Sequence, residues 1–110
     1  MADGAPFEID PPALKAMLDS DNPPAILDVR EPWEIEIAAI DGALSVPLNT
    51  VPQRLAEIPR DKPLAVICHH GGRSAHATAW LRHQGYDHAM NVAGGIDAWA
   101  RLVDPSVPRY

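Results

Sequence analysis

Cysteine is almost absent from this chain of 110 residues: Cys68 is the only one. That excludes an intrachain disulfide and any Cys-x-x-Cys redox pair. Basic residues are few, with 9 Lys and Arg against 15 Asp and Glu and a formal net charge of −6. A broad nucleic-acid face and a patch for anionic membranes are excluded on that balance. No apolar run approaches the roughly 20 residues needed to span a bilayer. The opening Met1 to Pro6 has neither a basic n-region nor an apolar h-region, so it does not read as a secretory signal. A reduced, cytoplasmic compartment is the expectation, since a lone thiol survives there.

What is present is an ordinary globular balance, 46% hydrophobic and 22% charged. Length predicts one domain over 1–110; its core is expected at about 7–103, and the tail at 104–110, with Pro105 and Pro108, is expected to be extended. Twelve prolines fall mostly between periodic segments. Asp10-Pro11-Pro12 reads as an N-cap with prolines in the first turn, followed by an apolar stripe at Leu14, Met17 and Leu18. The spacing predicts strands over Ala25 to Val29, near Leu44 to Val46, over Leu64 to Ile67 and over Ala89 to Val92. It predicts helices from Glu31-Pro32 through Ile37, over Val51 to Ile58, over Ser74 to Gln84 with Gly85 closing it, and after Gly94-Gly95 with Ile96, Trp99 and Val103 on one face. Strands alternating with helices imply an α/β fold with a mainly parallel sheet covered on both faces, whose ligands gather at the carboxyl ends of strands.

Two such ends carry chemistry. Ala65-Val66-Ile67 runs into Cys68-His69-His70-Gly71-Gly72-Arg73-Ser74, and a helix follows. A thiol at the mouth of a glycine-bent loop, at the positive end of a helix, is placed where a thiolate or a bound anion is stabilised. Thiolate is the reactive form of cysteine, so Cys68 is the candidate nucleophile. Gly71 and Gly72 supply the backbone freedom that lets loop N–H groups curl toward the sulfur. Arg73 is either a solvated first-turn arginine or a planar fork for an oxyanion such as thiosulfate, and the fork is the expectation. Ser74 reads most simply as the N-cap of the next helix, with a hydrogen bond to the sulfur as the sharper alternative.

His69 and His70 read as loop side chains facing solvent or substrate; the alternatives are that they favour the thiolate or join Cys68 on a metal. His76 and His83 sit about 10 Å apart along a helix axis, so no metal site is expected. At the other strand end, Asp28 and Arg30 read as a scaffolding pair. Trp33, Trp80 and Trp99 read as packing residues.

Four pieces, in order, resemble a single-domain rhodanese, a sulfurtransferase module. They are Leu27-Asp28-Val29-Arg30-Glu31-Pro32; Gly42-Ala43 with Val46-Pro47-Leu48; the loop Cys68 to Ser74; and Asn91-Val92-Ala93-Gly94-Gly95-Ile96-Asp97-Ala98-Trp99. The resemblance runs from about Phe7 to Trp99. It implies a rhodanese-like three-layer sandwich, with a five-stranded, mainly parallel sheet flanked by helices on both faces. It also implies a thiosulfate sulfurtransferase working by a ping-pong reaction, in which a Cys68 persulfide carries sulfur from thiosulfate or a persulfide donor to cyanide, a thiol or a protein. His69, His70, Gly71, Gly72, Arg73 and Ser74 would bind substrate, and no cofactor, nucleic acid or membrane would take part. Ala38-Ala39-Ile40-Asp41-Gly42-Ala43 departs from the family's Gly-His-Ile-Pro-Gly-Ala; this bears on local packing, since neither missing residue is the nucleophile. The tail from Val103 to Tyr110 resembles the ends of rhodanese modules attached to sulfur-carrier-activating enzymes. The competing readings are a cysteine phosphatase or arsenate reductase, whose Cys-x5-Arg loop is one residue longer than the spacing of Cys68 and Arg73, and a non-enzymatic sulfur-relay module.

Overall fold

A computed structural model describes residues 6–110; Met1 to Ala5, in the segment read for a secretory signal, lie outside them. Five parallel strands form one sheet: β1 (Glu8–Ile9), β2 (Ala25–Asp28), β3 (Leu44–Ser45), β4 (Leu64–Ile67) and β5 (Ala89–Val92), in the order β1-β5-β4-β2-β3. The helices are α1 (Pro11–Leu18), α2 (Pro32–Ile37), α3 (Gly72–His83) and α4 (Gly95–Leu102). Four strands fall where the apolar runs predict; β1 has two residues, too few to show a period.

Strand β4 shows why its sequence is apolar throughout. Leu64, Val66 and Cys68 face one cluster with Leu27, Val46, Ala77 and Leu81, while Ala65 and Ile67 face the other with Leu14, Ile96 and Trp99. Alternate side chains therefore enter two cores, one on each side of the sheet. Cys68 continues the parity of Leu64 and Val66, which turns its sulfur toward α3.

The order also fixes the site. From β2 the chain crosses to β3 on one side, and from β4 it crosses to β5 on the other. Neighbouring strands β2 and β4 thus mark a topological switch point, the crevice where open α/β sheets bind ligands. Both chemistry-bearing strand ends open into it.

Start signals act as expected in α1, where Asp10 accepts a hydrogen bond from the Ala13 N–H at 2.8 Å and Leu14 is fully buried. Gly85 closes α3 at φ 93°. Three expectations fail. The segment Val51 to Ile58 is not one helix; 3-10 turns at Leu48–Thr50 and Leu55–Glu57 flank a turn, and its later N–H groups close i→i+3 bonds, Glu57 to the Arg54 carbonyl at 2.9 Å and Ile58 to that of Leu55 at 3.1 Å. The tail is not simply extended, since a turn at 104–106 folds it back along α4. Trp33 is 60% exposed and not a packing residue, whereas Trp99 is core. Among the described residues no helix is long and apolar enough to cross a membrane.

Candidate active site

Cys68 is 1% exposed, yet its sulfur is surrounded by donors and not by hydrocarbon alone. The Gly71 N–H reaches Sγ at 3.1 Å, the Ser74 N–H at 3.3 Å, and the Ser74 hydroxyl lies at 3.2 Å. Two backbone donors of a helix start converge on one sulfur, which favours negative charge there.

Backbone shape makes this convergence. Gly71 sits at φ 105°, in the left-handed region, as the residue before α3. Gly72 is different: a Cβ there would meet nothing within 4 Å, and it is simply the first residue of the helix. The N-cap is therefore Gly71 and not Ser74, which lies inside the first turn with its hydroxyl on the sulfur. From behind, α4 braces the loop. The Ile96 N–H donates to the Cys68 carbonyl at 2.8 Å and the Asp97 N–H to that of His69 at 3.1 Å. A Cβ on Gly95 would fall on those two carbonyls, so a glycine is required at that close approach.

Ser74 is itself held. Its Oγ lies 2.5 Å from Asn91 Oδ1, and the Asn91 amide nitrogen donates to Glu8 Oε2 at 2.8 Å and to the Gly71 carbonyl at 3.2 Å. Asn91 is 1% exposed on β5. Its position in the Asn91 to Trp99 motif was the signal available in the sequence.

On the far side stands a wall of paired charges. Arg30, fully buried, donates through Nε and Nη2 to Asp28 at 2.9 and 2.7 Å, through Nη2 to the Ala38 carbonyl at 2.7 Å, and through Nη1 to the Tyr110 hydroxyl at 3.0 Å. The scaffolding role expected of Asp28 and Arg30 matches this arrangement. Tyr110 donates in turn to Glu34 Oε1 at 2.8 Å. Glu34 receives both Nη groups of Arg73, at 2.7 and 2.8 Å. The Arg73 fork holds Glu34 at about 2, well below the ordinary carboxylate range and against the upward push of burial. The same pairing raises Arg73. Arg73 thus points its fork at Glu34, a partner that residue types alone did not reveal.

His69 stacks on the Tyr110 ring, centroids 3.9 Å apart and planes 6° apart, and on His70 at 3.9 Å and 27°. Burial, then the neighbouring His70, lowers the pKa of His69. With Asp97 these histidines bring three ligand-type atoms within 4.8 Å of one another. Stacked rings direct their in-plane lone pairs side by side, however, and Asp97 already accepts from Arg109 at 2.9 Å. The cluster is a poor cage for a single ion.

A buried thiol in a helix-start cradle at a sheet's switch point is the arrangement to compare with known proteins, and residues 10–102 match the Rhodanese-like domain. The chain belongs to the rhodanese-like family. A protein named sulfurtransferase from Allochromatium vinosum is 40% identical over 94 residues, covering 86% of this chain and 88% of that one. The probable adenylyltransferase/sulfurtransferase MoeZ of Mycobacterium tuberculosis is 38% identical over 104 residues; these cover 93% of this chain and 26% of MoeZ. In solved structures, the rhodanese-related protein of Thermoplasma volcanium superposes with a TM-score of 0.83 at 31% identity, covering 96% of this chain and 100% of that one. The five-stranded parallel rhodanese-like fold and a sulfurtransferase or sulfur-carrier role at family level follow.

Proposed function

We propose that this rhodanese-like chain moves sulfane sulfur from thiosulfate or a persulfide donor to a thiophilic acceptor, through a persulfide on Cys68 and with no cofactor. The Cys68 thiolate attacks the outer sulfur of thiosulfate. A new S–S bond forms as the bond to the sulfonate sulfur breaks, and sulfite leaves with the electron pair. The acceptor, whether cyanide, a thiol or a protein, then attacks the terminal sulfur, and the Cys68 thiolate departs. One observation carries this reading: two backbone N–H groups and a hydroxyl converge on a sulfur that is 1% exposed. The backbone N–H dipoles, fixed by the helix start, stabilise charge on sulfur with little reorganisation. Gly71 and Ser74 would supply them, with His69 and His70 at the mouth.

Arg73 enters this proposal in a changed role. Its fork faces Glu34, and the two charges cancel, so we assign it to holding the mouth's wall rather than to gripping a sulfonate. The phosphatase reading loses support for the same reason, because the arginine fork that would clamp a phosphate is engaged.

Intact mass after incubation with thiosulfate, and separately with a small-molecule persulfide, tests the proposal. A gain of one sulfur atom, removed by cyanide and absent in folded Cys68→Ser, is expected. No gain with either donor, a gain that persists in Cys68→Ser, or efficient turnover of a chromogenic phosphate would overturn it.

A further inference from the structure

The Ser74 hydroxyl has one proton and two neighbours that compete for it, Cys68 Sγ at 3.2 Å and Asn91 Oδ1 at 2.5 Å. The Asn91 amide cannot be turned around. Its nitrogen faces two acceptors, Glu8 Oε2 and the Gly71 carbonyl, so its oxygen must face Ser74. An amide oxygen accepts and never donates. Both contacts are close for their atom types, but an amide oxygen is a stronger acceptor than a thiol sulfur, so the proton lies toward Asn91, and Ser74 offers the sulfur a lone pair, which suits a protonated thiol. A charged sulfur needs the opposite, a hydroxyl turned to donate.

We propose that Asn91 is a positioning residue for the Cys68 sulfur, acting through Ser74. It holds the Ser74 proton while Sγ is uncharged and yields it when Sγ becomes a thiolate. In the persulfide the charge sits on the terminal sulfur, Sγ is neutral again, and the hydroxyl turns back to Asn91. The hydrogen bond follows the charge through each half-reaction, with no proton gained or lost. Glu8 on β1 and the Gly71 carbonyl fix the amide that sets this competition. The cycle rests on Cys68 being the sulfur carrier, but the test reads the thiol alone and needs no sulfur donor, so the two ideas fail separately.

The test is the pH profile of Cys68 alkylation by iodoacetamide. Titratable or charged groups around the loop are Arg73 on α3, Glu34 on α2, Asp97 on α4, Glu8 on β1, His69 and His70 within the loop, and Tyr110 in the tail. All of them are common to the variants. Asn91→Leu removes the competing acceptor and leaves the hydroxyl on sulfur. Its profile should move to lower pH, with alkylation near neutrality faster on the order of tenfold, the scale of one hydrogen bond to a charged group. Asn91→Ala removes the same acceptor with a smaller side chain and should move the profile in the same direction. Both shifts should shrink when Ser74 is alanine, because the relay is then absent. A loosened loop would instead leave the shifts as large without the Ser74 hydroxyl as with it. A folded Asn91→Leu protein with an unmoved or upward profile, or shifts of equal size with and without the Ser74 hydroxyl, overturns the proposal. If Asn91→Leu does not fold, the Asn91→Ala measurements with and without the Ser74 hydroxyl decide.

Discussion

The two sides of the Cys68 crevice are built from opposite materials. Among the described residues the loop side bonds the sulfur through no ionised group, only through two backbone N–H groups and a hydroxyl that a buried amide holds in turn. The far side carries Asp28, Arg30 and Glu34, and Arg73 reaches across to it from α3, the four charges paired so that they cancel. Dipoles that face an uncharged or charged sulfur respond to its state. Ion pairs that already face each other respond less, since Arg73 senses the Cys68 charge only after its own bond to Glu34, and their work is to hold shape. The comparison assigns chemistry to the loop and rigidity to the wall, and it breaks if a wall substitution alters the thiol as much as a loop substitution does.

The largest effect is expected at the wall's centre. Arg30→Ala leaves Asp28, 2% exposed, without its partner. Loss of one member of a buried pair costs about 3–5 kcal/mol. Urea unfolding should show that loss while the alkylation rate of the remaining folded protein stays near wild type. An alkylation rate as changed as that of Ser74→Ala would join the two regions into one.

The Glu34–Arg73 pair comes next and has a pH signature. Glu34 is lowered from 4.5 to about 2 in the folded protein, chiefly by the Arg73 fork. A depressed carboxylate stabilises the fold fully above its unfolded value. That contribution is lost as pH falls through the window from about 4.5 to about 2. Since the Arg73 side chain is 37% exposed, solvent screening reduces the contribution to on the order of 2 kcal/mol. Glu34→Gln should flatten the acid limb of the stability curve. Arg73→Ala should flatten it too, and should lower sulfur transfer by a similar factor with thiosulfate and with a neutral persulfide. A loss confined to the thiosulfate KM would return Arg73 to the oxyanion-binding role its residue type first implied.

The loop was legible because it is local. Strand, cysteine, glycine and helix lie in consecutive residues, and Gly71's positive φ follows from that path. The wall was not legible because its members meet through the sheet order. Glu34 and Arg73 stand 39 residues apart, and Arg30 and Tyr110 stand 80 apart. A local cue existed at Glu31-Pro32-Trp33-Glu34, a capping box whose Glu34 carboxylate accepts from the Glu31 N–H at 2.9 Å. That cue fixes where Glu34 stands on α2 but not what its outer edge meets. Ser74 was placed one role away from its real one because a glycine, not a side-chain oxygen, caps α3.

Tyr110 yields the smallest and finest test, since it touches both regions. Its hydroxyl belongs to the wall, accepting from Arg30 and donating to Glu34, while its ring lies against His69 at the loop's mouth. Tyr110→Phe removes the hydroxyl and keeps the stack. Arg30 Nη1 retains the Glu34 carbonyl at 3.3 Å, and Glu34 retains Arg73, so the cost should be about 1 kcal/mol by thermal or urea unfolding. Tyr110→Ala removes the ring as well, adding on the order of 1 kcal/mol for the lost aromatic contact and opening the face of His69. If the wall and the loop are separate devices, Tyr110→Phe changes stability and leaves Cys68 alkylation as it was, and Tyr110→Ala speeds alkylation by widening the mouth. A Phe variant that alkylates faster than wild type would show that the charged wall reaches the sulfur through Tyr110, and the division drawn above would fail at that residue.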